Sequence, residues 1–176
     1  SLSLSSGIVD NTSPYHAALY NRKTGTTFLT GMKLKRSAED GVYNQNSDDR
    51  NSYYTIDNDG QLILSNSSIT NSGSFYSTIH NGCQSDDCSG FHEIYLRDDS
   101  SIIGGCYALK NESNGSIEIE NSSLRESYKG IIYNCGILTI TNSSFSASPC
   151  AIISDGGTYT CGTNVTFNTD MIMPSD

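Results

Sequence analysis

Apolar and polar residues alternate along this chain in short bursts, and the bursts repeat. Three segments superpose without gaps: GQLILSNSSI (60–69), GSIEIENSSL (115–124) and GILTITNSSF (136–145). Each reads Gly-x-apolar-x-apolar-x-Asn-Ser-Ser-apolar. FHEIYLRDDSSI (91–102) fits with one extra residue before its Ser-Ser-Ile, and GTYTCGTNVTF (157–167) keeps the alternating opening and the late aromatic. The first inward position falls at Leu62, Ile94, Ile117, Leu138 and Tyr159, at spacings of 32, 23, 21 and 21 residues. A second pattern follows each opening, a short apolar run often closed by Asn: ALYN (18–21), TIHN (78–81), ALKN (108–111), IIYN (131–134) and AIIS (151–154). Alternation over three to five residues predicts strands with one buried face. No window of 11 residues carries an apolar stripe at helical spacing.

A period of 21 residues holds two or three such strands and their turns, but no helix. A single unit cannot bury its apolar face, whereas stacked copies form a continuous core. The expected fold is therefore all-β, a right-handed parallel β-helix of about seven coils. At ~4.8 Å per strand this gives a rod roughly 30–35 Å long. The stretch LSLSSGIVDNTSPYHAALYN shares the grammar of LTITNSSFSASPCAII, so a unit starts at residue 2, and a more degenerate one lies near TFLTGMKLK (27–35) and GVYNQ (41–45). The chain reads as a single domain, 1–176, with degenerate coils over 1–59, regular coils over 60–167 and a short tail over 168–176. A β-sandwich would account for short strands and turns, but not for a repeat that stays in phase from 115 to 156.

The Gly-x-[Leu/Ile]-x-Ile-x-Asn-Ser-Ser-[Phe/Leu/Ile] unit, followed by a small-apolar-apolar-x-Asn run, resembles the repeats of right-handed β-helix surface proteins. Polymorphic-membrane-protein-like and adhesin-like repeats of the pectate-lyase-like superfold are the nearest in pattern. The resemblance covers 60–167 well and 1–59 weakly. It implies the fold; lyases, hydrolases, adhesins and structural rods all share it.

Charge narrows the choice. Ten basic against nineteen acidic residues give a net charge of −9, which repels a phosphate backbone, so nucleic acid is not the expected partner. No run of 18 apolar residues is present to span a membrane. The opening SLSLSSGIVD is not a basic, apolar leader, so any secretion signal lies outside this sequence. Ser, Thr and Asn fill about a third of the chain. Six cysteines, Cys83, Cys88, Cys106, Cys135, Cys150 and Cys161, include no Cys-x-x-Cys pair, and zinc would need ligands gathered from unrelated loops. An even count in this acidic, hydroxyl-rich composition predicts disulfides formed outside the cytosol. Six cysteines allow 15 pairings; the sequential one joins Cys83 to Cys88, Cys106 to Cys135 and Cys150 to Cys161.

Asn66, Asn121 and Asn142 share one repeat position, and Asn81, Asn111 and Asn134 another. Asn tolerates the left-handed backbone of a strand corner, and its amide can bond the Asn of the next coil. The second set is expected to be such a ladder. Seven asparagines stand in Asn-x-Ser/Thr sequons, Asn11, Asn66, Asn111, Asn114, Asn121, Asn142 and Asn164, and are glycosylation candidates in a secreted protein. Glycans on both Asn121 and Asn142 would crowd each other on adjacent coils.

The acidic pairs Asp48–Asp49, Asp86–Asp87 and Asp98–Asp99 are the natural place to look for catalytic carboxylates. Asn168-Thr169-Asp170 matches one element of pectin-hydrolysing β-helix enzymes, but the Asp-Asp, Gly-His-Gly and Arg-x-Lys elements that accompany it there do not follow here. The first two pairs fall in polar interruptions (44–58 and 82–91) that read as solvated loops. Such a loop suits calcium chemically, yet has neither EF-hand nor Gly-Gly-x-Gly-x-Asp spacing, so no cofactor is expected. No Gly-x-Ser-x-Gly elbow is present, and His16 and His80, each beside a strand run, read as packing or surface residues. Tyr53, Tyr54, Tyr76, Tyr107, Tyr128 and Tyr133 form either a surface strip for sugar stacking or stacked core and corner residues. The expectation is a secreted, extracellular or cell-surface β-helix without catalysis, an adhesin-like module or a glycosylated filament protomer. Self-association through open solenoid ends, and surface glycans, are its expected contacts. A polysaccharide lyase or hydrolase, or a carbohydrate-binding β-helix, is the alternative.

Overall fold

The computed structural model describes residues 1–13, 16–37, 54–83, 90 and 92–174. It is a right-handed parallel β-helix of seven coils with three strand positions per coil. The first coil is β1 (Leu2–Ser5), β2 (Ile8–Asn11) and β3 (Leu19–Asn21); the second is β4 (Thr26–Thr30), β5 (Lys33–Arg36) and β6 (Ile56–Asn58). Then follow β7 (Gln61–Ser65), β8 (Ser68–Asn71) and β9 (Ile79–Asn81), and β10 (His92–Arg97), β11 (Ser101–Gly104) and β12 (Tyr107–Asn111). The fifth coil is β13 (Gly115–Glu120), β14 (Ser123–Arg125) and β15 (Gly130–Asn134); the sixth is β16 (Ile137–Thr141) and the long β17 (Ser144–Ser154); the seventh is β18 (Thr158–Cys161) and β19 (Thr166–Pro174). The segment read as a tail from 168 thus continues as strand, paired in parallel with β17. The interruption read as a loop over 44–58 ends in β6, so the second coil takes its third strand from TIDN; GVYNQ lies outside the described residues.

Every strand pairs in parallel with the equivalent strand one coil away, so like residues stack into columns. Leu62, Ile94, Ile117, Leu138 and Tyr159 are in mutual register, as their sequence spacing requires. Columns of Val9–Leu34–Ile69–Ile102–Leu124–Phe145–Phe167 and Leu19–Ile56–Ile79–Leu109–Ile132–Ile152 close the other two walls of the core. Branched aliphatics suit these positions because neighbouring copies pack on a pleated, fully enclosed surface.

The Asn-Ser-Ser signature is a corner. Asn66, Asn121 and Asn142 turn the chain from the first sheet into the second at φ 46–47°, a left-handed conformation that asparagine adopts at low cost. The first Ser points inward: Ser67, Ser100, Ser122 and Ser143 are buried. Each hydroxyl donates to a carbonyl of its own corner, as from Ser122 to Glu120 (2.8 Å), and those of Ser67, Ser100 and Ser143 accept an N–H from the preceding coil, as Ser143 does from Ser122 (3.1 Å). The second Ser faces outward. Asp98 and Asp99 supply the two left-handed residues of a corner that carries an extra residue, and Asp98 accepts the Ser65 hydroxyl at 2.7 Å. Both serve as turn residues.

A second column crosses the opposite corner. Asn21, Asn58, Asn81, Asn111 and Asn134 are buried, and each Nδ2 donates to the next Oδ1 at 2.7, 2.8, 2.9 and 2.8 Å. Thr27 donates its hydroxyl to Asn21 at 3.0 Å, so the first Oδ1 is also satisfied. The ladder expected for Asn81, Asn111 and Asn134 therefore runs over five coils. Glycine stands immediately beyond it because the backbones touch: a Cβ on Gly136 would lie 2.2 Å from the Gly115 carbonyl oxygen. In the fourth coil this position belongs to His92, in register with Gly115.

Candidate binding cleft

The residue just before each ladder asparagine points out of the solenoid, and these residues form a column in register, Tyr20, Asp57, His80, Lys110 and Tyr133, which Ile153 continues before Ser154. Parallel pairing forces chemistry on this column, since neighbours lie one strand spacing, about 4.8 Å, apart. His80 Nδ1 lies 2.8 Å from Asp57 Oδ1, and its Nε2 lies 3.1 Å from Glu112 Oε1. Lys110 Nζ reaches the same Glu112 oxygen at 2.7 Å. The cluster thus alternates acid, base, acid, base across three coils. Tyr54 stacks flat on the imidazole, with ring centroids 4.7 Å apart and planes 12° from parallel.

Burial is nearly complete: His80 is 2% exposed and Asp57 3%. Burial alone pulls a histidine pKa down, but the hydrogen bonds to Asp57 and Glu112 outweigh it and hold His80 above its ordinary value. Burial also lifts Asp57, so the pair keeps its proton more firmly than either group does in water. Glu112 is pushed up by burial, but hydrogen bonds from His80 and Lys110 overcome this and hold it down to about 2. Both imidazole nitrogens face carboxylate oxygens, so the form that satisfies both contacts is the imidazolium, donating twice.

Tyr54 and Lys110 link this cluster to a cleft of about 330 Å³ on the solenoid's flank. Phe75, Tyr76, Tyr107 and Lys129 line it as well. Tyr54 and Tyr76 meet edge to face (5.8 Å, 89°), while Tyr107 leans on Tyr133 (5.4 Å, 41°). Phe75 is 64% exposed. Further along the same corner Tyr128 borders a second cleft of about 440 Å³, between Gly104–Gly105 and Ser72–Ser74.

Of the six tyrosines in the expected strip, Tyr54, Tyr76 and Tyr107 converge on the cleft. Tyr133 backs it, Tyr128 borders its neighbour, and Tyr53 lies outside the described residues. Asp57, Glu112, Lys110, Lys129 and Phe75 do not stand out in the sequence. The place before each ladder Asn is the signal for two of them, Asp57 and Lys110, with His80 between: TIDN, TIHN and ALKN hold an acid, an imidazole and an amine in turn. His80 is the centre of a charged cluster rather than a simple packing residue. His16 offers its carbonyl oxygen to the Asn11 amide at 2.5 Å.

The other candidates disperse. Asn66, Asn121, Asn142 and Asn164 are exposed along one corner, and the last three line a polar groove of about 400 Å³ together with Ser123 and Ser144. Asn11 and Asn114 are half-buried. Asn111 is 0% exposed and spends its amide on the ladder, which leaves no room for a glycan in the folded chain. Cys106, Cys135, Cys150 and Cys161 are thiols, so the pairings Cys106–Cys135 and Cys150–Cys161 do not form. Register explains this. Cys106 precedes the Tyr107–Gly130 pair and Cys135 follows the Asn111–Asn134 pair, at opposite ends of neighbouring strands. That is roughly 20 Å of strand, against the ~7 Å a disulfide spans. Cys150 and Cys161 lie in different sheets. Cys83 is disulfide-bonded; its expected partner, Cys88, lies outside the described residues, as do Asp48, Asp49, Asp86 and Asp87. Asn168 and Asp170 lie on β19, in register with Ser146 and Cys150. Among the described residues, no group of three His, Cys, Asp or Glu side chains is placed to hold a metal ion, and no helix is long and apolar enough to cross a membrane. No family model, curated protein or solved structure matches the chain.

Proposed function

We propose that this chain is a non-catalytic, extracellular β-helix module of the adhesin-like kind, a stiff rod that binds through the aromatic cleft on its flank. The observation that carries the reading is the way His80 is committed. A histidine acting as a general base needs one nitrogen open towards the group it deprotonates. Here both nitrogens are held by Asp57 and Glu112, which suits His80 to bracing the cleft wall and argues against it as the base of a lyase or hydrolase. Exposed Asn66, Asn121, Asn142 and Asn164 are the positions that would carry glycans on a secreted rod. The filament variant stacks copies through β1 and β18, each of which pairs with a single strand, and exposes Ile8 (76%) and Leu2 (43%) at the first coil.

The test pairs adhesion with turnover. Beads coated with the protein, or with a Phe75→Ser/Tyr107→Ser variant, are rolled over cell layers, and the same proteins are incubated with neutral and acidic polysaccharides. Cleft-dependent retention without new reducing ends is expected. Release of reducing ends that disappears in His80→Gln would replace this reading with the enzymatic one.

A further inference from the structure

We infer that the flank cleft takes a single anionic sugar unit, a pyranose bearing a carboxylate or sulfate, at the end of a glycan. The inference rests on the binding role proposed above and names the ligand class for that site.

Three features of the cleft select this chemistry. First, its faces are aromatic. Tyr76 and Tyr107 are half-buried and line it, Phe75 stands at the rim, and the buried Tyr54, stacked on His80, backs them, an apolar, π-rich lining that suits the C–H-rich face of a sugar ring. Second, the lining carries hydroxyl groups. Ser77 also lines the cleft, and phenol and serine hydroxyls both donate and accept, as sugar hydroxyls require. Third, two of the ten basic residues of a chain with net charge −9 meet here. Lys110 is bonded to Glu112. Lys129 is exposed and makes no ion pair with a described residue, while its backbone N–H is anchored on the Cys106 carbonyl at 2.9 Å.

One uncommitted ammonium matches one anionic substituent. A long polyanion would meet the acidic remainder of the surface, which argues for a terminal unit over an extended charged polymer. A volume of about 330 Å³ sits at the small end of ligand clefts, which run from about 300 to 1,000 Å³. A wholly apolar occupant is disfavoured because it would desolvate Lys129 without compensation.

The experiment is ligand-observed saturation-transfer NMR on the intact protein, with methyl β-glucuronide, glucose 6-sulfate and methyl β-glucoside as probes and tetragalacturonate as the polyanion. Both anionic monosaccharides are expected to saturate, and either one alone identifies the preferred anion. Glucoside should bind at least five-fold more weakly. Lys129→Gln should weaken the anionic probes five- to twenty-fold and leave glucoside unchanged, Lys129→Arg should restore most of the loss, and 0.5 M NaCl should mimic Lys129→Gln. Equal saturation by glucoside, or no effect of Lys129→Gln, overturns the inference. So does no saturation by either anion at 20 mM, or preference for the polymer. If the anions fail while bead retention still depends on Phe75 and Tyr107, only the ligand class is wrong; if retention fails as well, the binding role falls with it.

Discussion

Replacing His80 tests the charged cluster more directly than any other change. In His80→Gln, Asp57 loses its imidazolium at 2.8 Å, the only side-chain hydrogen bond it makes among the described residues. Its carboxyl is 5% exposed, so water cannot replace the partner. Removing one member of a buried ion pair costs about 3–5 kcal/mol. Glu112 is 20% exposed and keeps Lys110 at 2.7 Å, so its loss adds at most about 1 kcal/mol. The expected destabilisation at pH 6–7 is therefore ~3–5 kcal/mol, almost all of it from Asp57. Urea unfolding followed by circular dichroism measures it. Asp57→Asn in the same chain removes the stranded charge, and should recover at least about half of the loss. The pH dependence has a definite sign. A histidine raised in the folded state stabilises fully below its unfolded value near 6.5, and that contribution is lost as pH rises through the folded value. The gap between wild type and His80→Gln should thus narrow on the alkaline side. It should narrow again in acid, where the raised Asp57 of the variant takes up a proton. A loss of equal size when His80→Gln is combined with Asp57→Asn would refute the electrostatic account and assign the cost to the Tyr54 stack. A loss below about 0.5 kcal/mol would refute the cluster itself.

Asn111→Ala should cost ~2–5 kcal/mol in the same assay, because it leaves the Asn134 Oδ1 and the Ile137 carbonyl without the amide that serves them in a fully buried site. Glu112 has its folded value depressed to about 2, so its contribution is present above its ordinary 4.5 and lost as pH falls from there towards 2; Glu112→Gln should flatten that acid limb of the stability curve. Iodoacetamide mass labelling of the native protein should modify exposed Cys161 first, half-buried Cys135 more slowly, and buried Cys106 and Cys150 only after urea is added; simultaneous labelling of all four would contradict the burial pattern.

Much of the fold was legible because a solenoid writes each coil in the same grammar. The alternating triplets marked the strands, and their phase set the register of Leu62 with Ile94, Ile117 and Leu138. Two points escaped. TIDN was hidden because 35 residues separate Thr27 from its register partner Leu62, so the strand stood alone in polar sequence. The pairings Cys106–Cys135 and Cys150–Cys161 failed because sequence neighbours in a solenoid need not be neighbours in space: one coil returns the chain to the same column, not to the same end of it. The cleft was half legible. Its tyrosines stood out by type, but Asp57, His80 and Lys110 lie 23 and 30 residues apart. They meet only because the Asn ladder fixes the register of the residues just before it. Repetition encodes the scaffold, and the chemistry sits at outward positions where the repeat places no constraint.

His92 is the place where the repeat itself is broken, and it yields a last prediction. The corner position held by Gly60, Gly115 and Gly136 in neighbouring coils carries an imidazole in the fourth coil. The ring is 1% exposed, and neither nitrogen has a hydrogen-bond partner among the described residues. A buried imidazole that makes no hydrogen bond forfeits the hydration of both nitrogens, at a cost on the order of 1–3 kcal/mol. Phenylalanine has nearly the same shape and no polar atom, so His92→Phe should be neutral to stabilising, by up to about 1–2 kcal/mol after a small charge for its extra volume. His92→Gly restores the repeat residue, but empties a packed site and adds backbone freedom to the unfolded chain, so it should destabilise by about 1 kcal/mol or more. The order Phe above His above Gly in urea midpoint follows from a ring that serves as volume. If Phe instead costs more than about 1 kcal/mol, the nitrogens are engaged in solution, and His92 would join His80 as a second polar centre beside the ladder.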